Sequence, residues 1–180
     1  MKFLGLAAGF SAKDAFCHLF ACGKKTDSEE LHRLLAEKYQ ASADRVVLYH
    51  TGRSALAAAI EAVTPKGSEV AIACPTCVAV VRAVRAAGCV PVLVDAAPGK
   101  IQFGPQELKA RLEGGTKVRA VIIQNTLGET VDITAIGRIC QEHQVAIIED
   151  LAHCVGRHYP DGREVGTVGA AVALSFGKGK

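Results

Sequence analysis

From residue 46 to residue 174 short apolar runs rich in Val and Ile alternate with stretches whose apolar residues return every three or four positions. That alternation leaves few folds open. The runs at 46–49, 70–74, 90–94, 118–123, 145–148 and 170–174 read as six strands; the stretches at 54–63, 78–87, 105–112 and 133–143 read as helices. Strands apolar on both faces, joined by helices of about ten residues, predict a mostly parallel sheet covered by helices on each side. The fold class is therefore α/β, a three-layer αβα arrangement. In such sheets ligand-binding groups gather beyond the carboxyl ends of the strands.

Composition narrows the partners. The 180 residues suit one domain, and 49% apolar with 22% charged residues excludes global disorder. The net charge of +3 is scattered, with Lys24-Lys25 and Arg82/Arg85 as the tight basic pairs, so no stripe for a nucleic-acid backbone emerges. Seven cysteines without a repeating pattern argue against a disulfide framework and for a reducing, cytoplasmic compartment. The apolar run at 3–10 is too short to span a bilayer, and Arg82, Arg85 and Asp95 interrupt the most apolar third, so no membrane partner is expected.

Residues 1–25 read as an N-terminal segment. From Thr26 onward, Thr26/Glu29 and Asp27/Glu30 form candidate capping boxes, followed by Leu31, Leu34, Leu35 and Tyr39 at helical spacing. No linker or composition break divides 26–180, which reads as one domain. The chain stops at Lys180 just after a strand and a Gly-rich turn, with no helix to cover that strand, so a fragment of a longer domain is expected.

Four motifs stand at strand ends. His50-Thr51-Gly52-Arg53-Ser54 joins a strand to an Ala-rich helix; amides at Gly52, Arg53 and Ser54 could face an anion, or the stretch is an ordinary turn capped by Thr51 or Ser54. Cys74-Pro75-Thr76-Cys77 places a CxxC at a helix start, the arrangement of thiol-disulfide oxidoreductases, or two packing cysteines. Neither Cys17/Cys22 nor His143/Cys154 completes a zinc set, so no metal is expected. In Ile147-Ile148-Glu149-Asp150, Asp150 ends an apolar strand and is a site candidate, with His153 three residues on; the alternative is a capping or ion-paired Asp150 and a surface His153. Finally Ser175 ends a strand, and Lys178 and Lys180 follow in a Gly turn, placed for Schiff-base chemistry or forming a basic tail. Neither a P-loop nor a G-x-G-x-x-G fingerprint is present.

A phosphate cradle, a strand-end acid for a ring nitrogen and a lysine for an aldehyde are what pyridoxal 5'-phosphate requires, and the chain offers Gly52, Asp150, Ser175 and Lys180 in that order. With T-G-R-S-A-L, R-A-V-R-A-A-G-C-V-P-V-L-V-D, Q-N-T-L-G-E-T-V-D-I-T-A-I, I-I-E-D-L-A-H and G-R-E-V-G-T-V-G-A-A-V-A-L-S-F, the sequence resembles the fold-type-I pyridoxal-phosphate enzymes. Within them it is similar to the DegT/DnrJ/EryC1/StrS sugar aminotransferases, from about Thr26 to the last residue.

The resemblance implies a pyridoxal-phosphate-binding large domain with Lys180 as Schiff-base lysine and proton carrier. It implies Asp150 on the pyridine nitrogen, Gly52, Arg53, Ser54 and Ser175 on the phosphate, and His153 beside the ring. It further implies amino transfer, commonly from glutamate, to a nucleotide-linked keto-sugar, in a homodimer whose sites borrow partner residues. Three positions depart from the family pattern: Cys77 stands nearest the usual stacking aromatic, Arg53 replaces a Thr, and Lys178 adds a second amine. Family members continue past the lysine with an antiparallel strand beside 46–49 and a C-terminal domain, so little or no turnover is expected of these residues alone. Two other readings stay open: a thiol-disulfide oxidoreductase using Cys74 and Cys77, and a non-catalytic, degenerate binding module.

Overall fold

A computed structural model describes residues 25–114 and 117–176, with side chains described from Glu29 onward. The described residues divide into two compact units, 25–48 with 176, and 49–114 with 117–175.

In the first unit, helix α1 spans Lys25–Lys38 and a 3-10 turn spans Ala43–Arg45. The helix begins at Lys25, so Thr26 and Asp27 fall inside its first turn instead of flanking it, and their side chains lie outside the described ones. Its buried stripe also differs from the expected one: Ala36 is buried, whereas Leu34 is 48% exposed. Arg33 bridges Glu30 at 2.7 Å and Glu37 at 3.1 Å, exposed pairs at helical spacing that add little stability. The strand expected at 46–49 does not form. A strand needs a ladder partner, and among the described residues none pairs with this segment, leaving Val47, Leu48 and Tyr49 exposed.

The second unit holds five parallel strands, β1 (Glu69–Cys74), β2 (Val90–Asp95), β3 (Val118–Ile123), β4 (Ala146–Asp150) and β5 (Ala171–Ala173), in spatial order β2-β1-β3-β4-β5. Its helices are α2 (Gly52–Val63), α3 (Val78–Ala86), α4 (Pro105–Glu113) and α5 (Ile133–Glu142). Their starts follow local chemistry: the Gly104 N–H donates to the Glu107 carboxylate at 2.9 Å ahead of Pro105, and the Asp132 carboxylate accepts the Ala135 N–H at 3.0 Å. Among the described residues no helix is long and apolar enough to cross a membrane.

The central strands β1, β3 and β4 are buried on both faces, and successive side chains go to opposite sides of the sheet. Ile72, Ile122, Ile148 and Ala173 pack with Leu56 and Ile60 of α2 and Val80, Ala83 and Val84 of α3 in one core cluster. Each fully buried Ile removes enough apolar surface from water to contribute roughly 1.5–3 kcal/mol. Ala71, Val121, Ile123, Ile147 and Glu149 alternate to the opposite face, which α4 and α5 cover with buried Leu108, Leu112, Ile133, Ile136 and Cys140. From β1 the chain steps one way to β2, then returns across β1 to β3, so the order reverses between β1 and β3. Crevices at such reversals are where open α/β sheets bind ligands.

Candidate active site

The start of α2 is set by Thr51, an extended N-cap whose Oγ1 accepts the Ser54 N–H at 3.1 Å and lies 2.9 Å from Ser54 Oγ. Thr51 is thus the cap, and the Ser54 amide expected to face an anion is already engaged. The amides of Gly52 and Arg53 find no acceptor among the described residues, which leaves two donors at the positive end of the helix. A side chain at Gly52 would have no room: its Cβ would lie 2.9 Å from Ser175 Oγ and 3.0 Å from Ser175 Cβ. Two residues distant in sequence therefore meet at one helix terminus.

Asp150 closes β4 and pairs with Ala173 of β5, where the Leu151 N–H donates to the Ala173 carbonyl at 2.8 Å. Ile148 and Ala173 lie in the α2 cluster, so alternation puts Asp150 and Ser175 on that same face. The half-buried Asp150 carboxylate accepts the Ala152 N–H at 3.1 Å. Gly52, Asp150 and Ser175 are therefore gathered at the carboxyl end of the sheet. Arg53 and Ser54 are exposed on the first turn of α2, and His153 is exposed in the turn after β4. Lys178 and Lys180 lie outside the described residues.

Two polar residues that the sequence reading passed over stand at the order reversal. Thr76, after β1, donates its hydroxyl to the buried Gln124 Oε1 at 2.6 Å. The β3/β4 register pairs Ile123 with Glu149, so its continuation sets Gln124 beside Asp150. The Cys154 thiol sits 3.7 Å from the carbonyls of both Gln124 and Asp150. The sequence signal was there: the apolar run of β3 ends abruptly in Gln124-Asn125.

Glu149 was likewise missed. Its side chain is fully buried, and both oxygens are filled: Oε1 accepts the amides of Val168 at 2.8 Å and Gly169 at 2.6 Å, and Oε2 accepts the Gly166 amide at 2.7 Å and the Tyr159 hydroxyl at 2.6 Å. Burial, reinforced by the Glu149 charge, pushes the Tyr159 phenol well above its ordinary value. Asn125 Nδ2 donates to Tyr159 Oη at 3.2 Å, while Asn125 Oδ1 accepts the Val131 N–H at 3.3 Å.

Cys74 and Cys77 are free thiols, the first half-buried at the end of β1 and the second exposed at the start of α3. Burial pushes the Cys140 thiol up to about 12 and the Cys154 thiol up to about 11, as expected of packing cysteines. Among the described residues no cluster of His, Cys, Asp and Glu could hold a metal ion.

The class the fold defines is a parallel αβα sheet with a helix start bearing two amides that have no acceptor among the described residues, and an acid at an adjoining strand end. The chain belongs to the DegT/DnrJ/EryC1/StrS aminotransferase family, whose model matches residues 20–180. Among solved structures it is similar to the aminotransferase TlmJ from Streptoalloteichus hindustanus, at 26% identity and a TM-score of 0.79 over 94% of this chain and 47% of that one. The putative sugar aminotransferase Spr1654 from Streptococcus pneumoniae, in its PLP form, shares the fold at 19% identity and a TM-score of 0.81, over 100% of this chain and 50% of that one. A pleiotropic regulatory protein from Geobacillus stearothermophilus is 34% identical over 110 residues, 61% of this chain and 29% of that protein. The chain thus spans about half the length of these solved relatives and under a third of the curated one.

Proposed function

We propose that residues 26–180 are the pyridoxal 5'-phosphate-binding large domain of an aminotransferase that moves an amino group, from glutamate, to a nucleotide-linked keto-sugar. The observation that carries this reading is the approach of Gly52 to Ser175 at the start of α2, on the face of the sheet that also bears Asp150. A Cβ would fill that cradle, and two unengaged amides with a hydroxyl beside them match the acceptor oxygens of a phosphate. The residues present fit the cofactor.

When bound, the cofactor supplies an electron sink for a carbanion next to the transferred nitrogen. The protein supplies the rest. The Gly52 and Arg53 amides and the Ser175 hydroxyl would bind the phosphate, and the exposed Ser54 hydroxyl and Arg53 guanidinium are further candidates to hold it. Asp150 holds a proton on the pyridine nitrogen; every unit by which it raises that nitrogen's pKa corresponds to about 1.4 kcal/mol. By the resemblance, Lys180 Nζ would hold the cofactor covalently and carry a proton between substrate and cofactor carbons, and His153 would be a further contact to the ring. Family resemblance supports a homodimer whose partner completes the site, and seven cysteines without a repeating pattern support a cytoplasmic location.

The test is covalent. The folded chain is incubated with pyridoxal 5'-phosphate, reduced with borohydride and digested, and the labelled peptide is mapped. Label on Lys180 supports the reading, and a folded sample without label there overturns it.

A further inference from the structure

We propose that Glu149 is a positioning residue for the phosphate cradle: from the face of β4 opposite Asp150 it pins the register of β5, and through β5 the seat of Ser175 against Gly52. The proposal rests on the cradle described above.

The problem it addresses is the length of β5. Its three residues, Ala171, Val172 and Ala173, pair with Ile148, Glu149 and Asp150, and so short a ladder has little to fix its own register. A slip by one residue would turn Ala173 and Ser175 to the other face and take the hydroxyl away from α2. The turn leading into β5 is held instead. Glu149 takes the amides of Gly166, Val168 and Gly169, and the Ala170 N–H donates to the Ile147 carbonyl at 2.8 Å. The fit is close enough to need a glycine, since a Cβ at Gly169 would lie 2.9 Å from the Ala171 carbonyl oxygen, 3.1 Å from the Ile147 carbonyl oxygen and 3.1 Å from Glu149 Cγ.

The fourth donor ties this pin to the rest of the α5 face. Tyr159 is buried and reaches Glu149 from a turn whose Asp161 accepts from Thr134 of α5 at 2.6 Å and from Arg163 at 2.5 Å. A carboxylate whose oxygens meet four donors cannot rotate without abandoning some of them inside the protein. Glu149 lies on the face of β4 opposite Asp150, so it acts on the ligand through the placement of β5.

The experiment compares two probes on the full 180-residue chain, pyridoxal 5'-phosphate and pyridoxal, by absorbance titration. Their affinity ratio reports the phosphate cradle and cancels effects common to both ligands. The wild type is expected to favour the phosphorylated probe by about tenfold or more. In Glu149→Gln, Tyr159→Phe and Gly169→Ala the ratio is expected to fall severalfold toward that of Ser175→Ala, with pyridoxal affinity held. A wild-type ratio near one removes the cradle and the proposal with it. A wild type that discriminates, with variants that lose affinity for both probes in parallel, keeps the cradle and overturns the proposal. Should Glu149→Gln fail to fold, the other two variants decide: an unchanged ratio in both overturns the role of Glu149.

Discussion

Glu149 and Asp150 are neighbours on one strand, carry the same charged group and face opposite sides of the sheet. Glu149 is fully buried, with four donors on its two oxygens. Asp150 is half-buried at the strand end, and accepts from the amide of Ala152 in the following turn. The pleat separates the two tasks. One face of β4 fixes where the chain goes, and the other presents a carboxylate to whatever occupies the crevice by α2.

The sharpest way to break this division is the same chemical change made twice. Glu149→Gln sets an amide NH2 against backbone N–H groups in a dry site, and is expected to cost about 3 kcal/mol or more in urea unfolding. Asp150→Asn is expected to cost no more than about 1 kcal/mol while removing the proton-holding contact to the pyridine nitrogen, read as a changed absorption spectrum of bound pyridoxal phosphate. Equal stability losses would erase the distinction between the faces.

Alkaline pH probes the packing behind that strand. In the unfolded chain the thiols ionise near 9.0, but in the fold Cys140 waits until about 12 and Cys154 until about 11, so the unfolded state releases its protons first. Their contribution is complete below pH 9 and is lost as pH rises toward 12, at no more than about 1.4 kcal/mol per pH unit for each thiol. Cys140→Ala and Cys154→Ala should each flatten the decline in stability measured between pH 9 and 11.

At the start of α2, two adjacent substitutions separate structure from binding. Gly52→Ala is expected to weaken pyridoxal phosphate binding by about tenfold, about 1.4 kcal/mol, because the new methyl meets Ser175, with little change in melting temperature. Thr51→Ala removes the cap bond to Ser54 and is expected to cost about 1 kcal/mol of stability, with a smaller effect on binding. The mildest effect is expected at the rim. Arg163 and Thr134 hold the Asp161 carboxyl well below its ordinary range, so its contribution is present at neutral pH and fades only in strong acid. Thr134→Val should shift the acid unfolding midpoint upward slightly.

Much of the fold was legible because periodicity reports burial, and burial is what the sheet imposes. The run at 118–123 became β3 residue for residue, and 70–74 and 90–94 needed one further residue each. The segment at 46–49 has strand-like composition but no partner among the described residues, and composition cannot supply one. The sequence also singled out Gly52, Asp150 and Ser175 for one site, and the fold brings them to one end of one face. It picked Asp150 for the site but could not show that the adjacent Glu149 serves the scaffold. Glu149 and Asp150 differ in register against β3 and β5, and register is a property of pairing rather than of local sequence. Gln124 escaped for a related reason, since its value lies in Thr76, a residue from another strand end.

The most direct test of the account is a crystal structure of the chain grown with saturating pyridoxal 5'-phosphate. The account expects the phosphate on the amides of Gly52 and Arg53 with Ser175 Oγ in hydrogen-bond reach, the pyridine nitrogen against Asp150, and Glu149 still closed on its four donors. Cofactor density that touches neither Ser175 nor Asp150, or that enters from the Glu149 side of β4, would contradict it.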